Sequence, residues 1–225
     1  LSLRARERIP ELRADSAEND DRDRVLSLEQ VLAYLREQER VRGRQICFFP
    51  EIKHPHYFSA LGLPMEAVLV EALHGAGYTR RSDPVHIQSF EVVALEKLRA
   101  LTDLKLMQLL GRSGQPRDQQ VIGTSLTYET MATEAGLADI ARYADSIGPP
   151  KYFSHLSSQF LLRPSQDEIR ALVERAHGAG LEVYPYTFRA ENHFLPVYWR
   201  KGISRANLGD LRAELLLFFA AGVDG

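Results

Sequence analysis

A carboxylate and an ammonium group two residues apart, Glu51 and Lys53, are the residues whose types and spacing best suit chemistry. They end an apolar run that begins at Ile46 and predicts a strand over residues 46–53. Side chains at positions i and i+2 of a strand share a face, so both charges should point the same way, about 7 Å apart along the chain. The end of a buried strand is where α/β proteins place ligand sites. The alternatives are a buried ion pair, or charges on the polar face of an edge strand, which Pro50 favours.

The strand that carries this pair is one of five, and the five alternate with six predicted helices. The four further strands are predicted at residues 85–90, 104–110, 145–149 and 181–188. The helices are predicted to begin near residues 28, 64, 92, 137, 166 and 211. Such alternation predicts a parallel sheet of βαβ units.

The connections between these elements are unequal in length. The loops after strands are often long, at residues 54–63, 111–136, 149–164 and 190–208. Loops after strands build the functional face of barrels and open α/β sheets, so an enzyme or a ligand-binding barrel is the leading class. The fold class expected is α/β, a (β/α)8 TIM-type barrel that is incomplete, because five strands do not close a ring of eight. We predict a single partial barrel domain over residues 1–225, with a charged connector at residues 1–26.

Composition excludes several classes of protein. The 225 residues are 44% hydrophobic, which is enough for a core, and the net charge of −2 provides no basic field for nucleic acid. The single cysteine, Cys47, excludes an intramolecular disulfide. No apolar run approaches the length of about 20 residues that crosses a bilayer, so no transmembrane segment is expected.

Five short stretches, in a fixed order, form a recognisable set: Phe49-Pro50-Glu51-Ile52-Lys53-His54-Pro55, Ile87-Gln88-Ser89-Phe90, Tyr143-Ala144-Asp145-Ser146-Ile147-Gly148-Pro149, Val183-Tyr184-Pro185-Tyr186-Thr187-Phe188-Arg189 and Gly222-Val223-Asp224-Gly225. Together they resemble the glycerophosphodiester phosphodiesterase family, particularly its bacterial periplasmic type. The resemblance runs from about residue 27 to residue 225. Each stretch alone is a weak signal, whereas the order and spacing of all five are specific.

The resemblance implies a (β/α)8 barrel that hydrolyses glycerophosphodiesters to sn-glycerol 3-phosphate and an alcohol with a divalent metal, Ca2+ or Mg2+. It implies that Glu51 is a metal ligand and that Lys53 contacts the substrate phosphate, roles that suit a hard carboxylate oxygen and an ammonium. The partner expected is a small-molecule glycerophosphodiester and not nucleic acid, with the oligomeric state open. The implied location is periplasmic or extracellular, with the cytoplasm as the alternative.

Aromatic and amide side chains complete the substrate-binding prediction. Gln88 and Phe90 share one face of their strand, and by the same resemblance they line the pocket. Tyr186 and Phe188 alternate in the same way on a later strand, and Tyr186 is predicted to pack on the glycerol. The alternative is that these aromatic rings are layers of barrel core. The aromatic segment at residues 194–199 is either a lid over the alcohol group or a surface patch.

The sequence departs from the family pattern in its catalytic machinery. The family's His-Arg-Gly, acid-x-acid and His-Asp motifs belong upstream of Leu1, and its Thr-Asp-Phe-Pro-like end would follow Gly225. No catalytic residue is therefore assigned here, the paired histidines are expected upstream, and residues 1–225 alone are expected to be inactive. His54 and His56 flank the predicted site and are the histidines to test. Two other functions stay open: a non-catalytic phosphoglycerol-binding barrel, and a related phospholipase or lyase-type barrel.

Overall fold

The computed structural model describes residues 2–153 and 165–225 of the chain. These residues divide into two compact units that are described separately. The first unit contains residues 2–44 and 188–215, and the second, called the sheet unit, contains residues 45–153, 165–187 and 216–225. The prediction that residues 1–225 form a single partial barrel domain stays a prediction.

A parallel sheet organises the sheet unit. Its strands are β1 (His86–Ser89), β2 (Lys105–Leu109), β3 (Ser146–Gly148) and β4 (Glu182–Val183). They lie in the order β1-β2-β3-β4, and every neighbouring pair is parallel. Four of the predicted strands are thereby confirmed, although each is shorter than its apolar run. The α/β class is confirmed, and the parallel βαβ arrangement is consistent with part of a TIM-type barrel.

The prediction of a strand at residues 46–53 is wrong, because this segment does not form a regular strand. The segment runs parallel to β1, but it forms only the isolated bridges Phe48–Val85 and Glu51–Gln88. The Phe48 amide donates to the Pro84 carbonyl, and the Ile52 amide donates to the Gln88 carbonyl. Between these two amides lies Pro50, which accepts from the Gln88 amide but has no N–H to donate. The proline therefore interrupts the ladder without displacing the segment from the sheet.

The described residues contain ten α-helices: α1 (Ala14–Ala17), α2 (Leu28–Arg42), α3 (Pro55–Ala60), α4 (Glu66–Gly75), α5 (Val92–Arg99), α6 (Arg117–Ile122), α7 (Tyr128–Met131), α8 (Glu134–Ile140), α9 (Gln166–Gly178) and α10 (Leu211–Ala221). The six predicted helices correspond to α2, α4, α5, α8, α9 and α10. Short helices α3, α6 and α7 occupy stretches that were predicted to be loops. None of the described helices is long and apolar enough to cross a bilayer.

Helix α2 of the first unit shows how local sequence sets the ends of a helix. Helix α2 begins at a capping box, in which the Ser27 hydroxyl accepts from the Gln30 amide and the Gln30 side chain accepts from the Ser27 amide. It ends at Gly43, whose φ of 62° lies in the left-handed region that glycine adopts easily. The described part of the predicted connector, residues 2–26, is mostly exposed and includes α1. Two short 3-10 turns, Asn192–Phe194 and Val197–Trp199, overlap the aromatic segment at residues 194–199 that was predicted to be a lid or a surface patch.

The core of the sheet unit lies between the sheet and its helices. Helices α4 and α5 each bury a leucine completely, Leu73 and Leu95. Helix α5 packs on β1 and β2, and α4 packs on α5. Ile87 of β1 and Leu106 of β2 are fully buried and lie opposite each other in the sheet. This packing fixes the strand ends that carry the predicted site residues.

Candidate active site

The Glu51–Lys53 pair lies at the carboxyl end of the segment that runs beside β1. The Lys53 ammonium Nζ donates to the Glu51 carboxylate Oε2 at 2.7 Å. Hydrogen bonds at both ends hold the backbone here, because the Gln88 amide donates to the Pro50 carbonyl at 2.9 Å and the Ile52 amide to the Gln88 carbonyl at 3.1 Å. Glu51 is half-buried and Lys53 is exposed. The two charges thus lie on one side, as predicted, and the pair is not the buried ion pair of the alternative reading.

A cleft of about 490 Å³ opens beside this pair within the sheet unit. Its walls are formed by Phe49, Glu51, Lys53, Gln88, Phe90, Met107, Leu109, Tyr184, Pro185, Tyr186, Thr187 and Gly225. Five of the residues predicted for the site therefore meet in one cleft. It combines an aromatic and aliphatic wall with a carboxylate and an ammonium, which is the usual make-up of a small-molecule site.

Gln88 lies in β1 and Phe90 directly follows its last residue, and both line the cleft. The Gln88 side chain donates from Nε2 to the Phe49 carbonyl at 3.1 Å, which fixes the orientation of its amide. The Phe90 ring meets Tyr186 edge to face at a centroid distance of 6.1 Å, and Tyr128 at 6.3 Å. Both side chains are half-buried, so each combines packing with exposure to the cleft.

Tyr186 lies beside Phe90 in the aromatic wall of the cleft. Its hydroxyl donates to the Leu110 carbonyl at 2.8 Å. Burial raises the pKa of Tyr186 to about 12, the Glu51 carboxylate adds to the rise, and Arg112 opposes it. The phenol therefore stays protonated near neutral pH, and its ring can serve as a packing surface but not as a general base.

The remaining predicted residues are placed differently. Phe188 lies just beyond Tyr186 in sequence but belongs to the first unit, so its predicted role in the site stays a prediction. His54 is exposed and has a left-handed backbone, with a φ of 52°. It lines a cavity of about 240 Å³ that Glu51 and Lys53 also line. His56 instead lines a separate cavity of about 220 Å³, and its amide donates to Glu91.

Sequence reasoning missed a second cation beside the pair. Arg117 lies at the start of α6 and lines the same 240 Å³ cavity as Lys53 and His54. Its Nη1 donates to the Gln120 side chain at 2.6 Å. The long loop after β2 indicated that residues of this region would reach the functional face, but no motif identified Arg117. The 240 Å³ cavity is therefore lined by two cations, Lys53 and Arg117, and by two carboxylates, Glu51 and Glu91.

The described residues do not by themselves fit a divalent metal. They include no group of three or more His, Cys, Asp or Glu side chains arranged to hold one. In the cleft, Glu51 is the one described carboxylate, and its Oε2 accepts from Lys53. Ca2+ prefers about 6–8 oxygen ligands, so further donors would be needed.

Comparison with known proteins connects this geometry to a family. Residues 4–225 match the model of the glycerophosphoryl diester phosphodiesterase family. The chain is 25% identical over 178 residues to a glycerophosphodiester phosphodiesterase from Haemophilus influenzae, covering 75% of this chain and 48% of that protein. It is 27% identical over 187 residues to one from Treponema pallidum, covering 79% and 51%. It is 29% identical over 186 residues to one from Arabidopsis thaliana, covering 76% and 46%.

The chain thus spans about half the length of the curated relatives it matches. The matched region includes most of the charged connector and all five motifs of the sequence, from the Glu51–Lys53 stretch to the closing glycines. The chain belongs to the glycerophosphoryl diester phosphodiesterase family.

Proposed function

We propose that the full-length protein hydrolyses glycerophosphodiesters to sn-glycerol 3-phosphate and an alcohol. The observation that carries the proposal is the cleft of about 490 Å³ in which Glu51 and Lys53 face aromatic walls, in a chain of this family. The cleft volume falls in the range of about 300–1,000 Å³ that is typical of small-molecule sites.

Lys53 is the proposed contact for the substrate phosphate. Its ammonium is exposed at the cleft, and Glu51 takes one of its three donors. This single ion pair orients the Lys53 side chain, so that its other two N–H groups can donate to a phosphate. In the transition state, negative charge on the phosphate oxygens increases, so a fixed ammonium stabilises it more than it stabilises the ground state.

The aromatic walls are proposed to bind the carbon skeleton of the glycerol. Phe90 and Tyr186 meet edge to face, so their faces and edges form a corner and not a flat surface. The Tyr186 hydroxyl is already bonded to the Leu110 carbonyl, which leaves the ring itself for packing. Gln88, whose amide is held by the Phe49 carbonyl, lies beside them as a polar contact for a hydroxyl or phosphate oxygen.

Metal dependence is proposed from the resemblance to the family, with Ca2+ or Mg2+ as the ion. Glu51 would supply one carboxylate oxygen, the kind of donor that both ions prefer. The described residues alone do not complete the coordination of such an ion. A periplasmic or extracellular location is likewise proposed on the resemblance alone.

The test is an assay of the full-length protein with glycerophosphocholine, measuring glycerol 3-phosphate with calcium, with a chelator, and after calcium is restored. We expect release that stops with the chelator and returns with calcium. Saturable binding without release would instead indicate a phosphoglycerol-binding barrel. Turnover of a diacyl phospholipid, or a cyclic phosphate product, would indicate the phospholipase or lyase alternative.

A further inference from the structure

Residues 196–208 of the first unit, which we call the basic loop, expose several large apolar side chains. Val197, Tyr198 and Leu208 are exposed, and Ile203 is completely so, at 105% of its reference area. Single exposed apolar residues are common, but a concentration of them marks a contact surface for a protein or a membrane. The basic loop is therefore a candidate contact surface.

The fold holds Ile203 outward at a fixed position. The buried Asn192 side chain donates from Nδ2 to the carbonyls of Lys201 and Ser204, at 2.8 and 2.9 Å, and its Oδ1 accepts from the Lys201 amide at 3.0 Å. Ile203 lies between those two carbonyls. Gly202, directly before it, has a φ of 71°, in the left-handed region that glycine adopts easily. The exposure of Ile203 is therefore built into the structure of the loop.

The charge of the basic loop is of one sign. Residues 192–209 contain three cations, Arg200, Lys201 and Arg205, and no Asp or Glu, although the whole chain has a net charge of −2. All three cations are exposed. Lys201 pairs with Asp210, beyond the loop, at 3.2 Å, so its charge is partly offset. The loop therefore has a positive surface that the composition of the chain as a whole does not reveal.

The two arginines keep their charge available for an anion. Arg205 contacts the imidazole Nδ1 of His193 through Nε at 3.2 Å and through Nη2 at 2.6 Å. Arg200 donates from Nε to the Leu195 carbonyl at 2.8 Å. In the part of the chain that the structure describes, neither arginine forms an ion pair with a carboxylate. Since a guanidinium has five N–H donors, each arginine retains donors that can bind a phosphate.

We propose that the basic loop docks on an anionic lipid surface, with Ile203 and Tyr198 among the lipid headgroups and the arginines on the lipid phosphates. Tyrosine is enriched at membrane–water interfaces, and an arginine can lay its stem along the apolar boundary while its guanidinium reaches the phosphates. A protein partner would need a pocket shaped for Ile203, whereas a lipid surface accepts a projecting aliphatic side chain without one. The positive charge beside it favours anionic lipid. The proposal does not depend on the phosphodiesterase activity.

The test is flotation of the full-length protein with two kinds of vesicle, phosphatidylcholine alone and phosphatidylcholine mixed with phosphatidylglycerol in equal parts. We expect the protein to float with the mixed vesicles at low salt and to bind phosphatidylcholine alone much more weakly. Binding to the mixed vesicles should fall sharply at about 1 M salt, where the Debye length is about 3 Å. No binding to the mixed vesicles, or equal binding to both kinds, would overturn the proposal.

Two variants of exposed side chains separate the apolar and the electrostatic contributions. Ile203→Ser should lower the partition coefficient on the mixed vesicles about tenfold, because it removes an aliphatic side chain that enters the lipid. Arg205→Gln should lower it about fivefold, because it removes one cation. Val68→Ser and Arg142→Gln are the matched controls, exposed positions of the sheet unit that should retain parental partitioning. Parental partitioning in either loop variant would contradict the proposal.

The same variants distinguish a lipid surface from a second copy of the chain. Sedimentation velocity of the parent without vesicles measures self-association, and Ile203→Ser should leave its result unchanged. Self-association that Ile203→Ser abolishes, together with no flotation on mixed vesicles, would overturn the proposal and assign the loop to an interface between copies. Unchanged melting temperatures in Ile203→Ser and Arg205→Gln would confirm that weaker flotation comes from the loop surface and not from unfolding.

Discussion

Lys53 Nζ lies 2.7 Å from Glu51 Oε2, yet the Lys53 side chain is 69% exposed and the Glu51 side chain only 20%. The carboxylate is set into the wall of the cleft, and the ammonium extends from it towards the open side. An ion pair with one exposed partner contributes about 0–1 kcal/mol to stability. The pair therefore adds little to folding and is better explained as a means of positioning a cation.

The first prediction concerns the carboxylate. Glu51→Gln in the full-length protein should lower the affinity for Ca2+, because it removes a charged oxygen donor, and should leave the fold intact. Calcium titration and thermal melting in the absence of metal measure the two effects. Glu66→Gln is the matched control, because Glu66 is a buried carboxylate that pairs with the exposed Lys97 at 3.5 Å and does not line the cleft.

Two outcomes would argue against this role of Glu51. A calcium titration identical to that of the parent would remove Glu51 from the metal site. A large fall in melting temperature without metal, beyond that of the Glu66 control, would indicate a structural ion pair.

Tyr186 is predicted to act through its ring and not through its hydroxyl. Tyr186→Phe loses the hydrogen bond to the Leu110 carbonyl and should destabilise the protein by about 1 kcal/mol with little change in turnover. Tyr186→Ala removes the wall beside Phe90 and should raise KM strongly. Denaturant unfolding and steady-state kinetics distinguish the two variants. A Phe variant that loses turnover as completely as the Ala variant would instead place the hydroxyl in the chemistry.

The raised pKa of Glu91 should make its contribution to the stability of the folded protein fall as the pH rises. Burial raises its pKa in the folded state above the ordinary value of 4.5, so the folded protein binds more protons than the unfolded chain. The stabilising contribution is fully present below about pH 4.5 and is lost as the pH rises through the folded pKa. Glu91→Gln should remove this slope. The measurement is the difference in unfolding free energy between the parent and Glu91→Gln across pH 4 to 8; a difference that does not vary with pH would contradict it.

Much of the fold was predictable because it depends on local patterns. Alternating apolar runs predicted β1 to β4, and the Ser27 capping box predicted the start of α2. Helices α3, α6 and α7 were missed because they span only 4 to 6 residues, too few for a helical period to show. The interruption at Pro50 was missed for a different reason. The amides of the neighbouring residues 48 and 52 donate towards β1, and only the tertiary structure shows that residue 50 falls between them, where its missing N–H matters.

The site was predictable to a similar extent. The i and i+2 spacing predicted that Glu51 and Lys53 share a side, and the family resemblance indicated Gln88, Phe90 and Tyr186 as their neighbours. Arg117 was not predictable, because it lies on a separate element that shares no motif with Glu51 and Lys53.

The most direct test of the account is the turnover of Lys53→Met with glycerophosphocholine as substrate. Methionine keeps most of the stem volume and removes only the cation. Loss of a charge-stabilising contact costs about 10²–10³ in rate, so kcat should fall by that factor while the melting temperature stays near that of the parent. Lys201→Met is the matched control, because Lys201 forms a similarly exposed ion pair with Asp210 and should retain parental turnover. Near-parental turnover in Lys53→Met would contradict the assignment of Lys53 to the substrate phosphate.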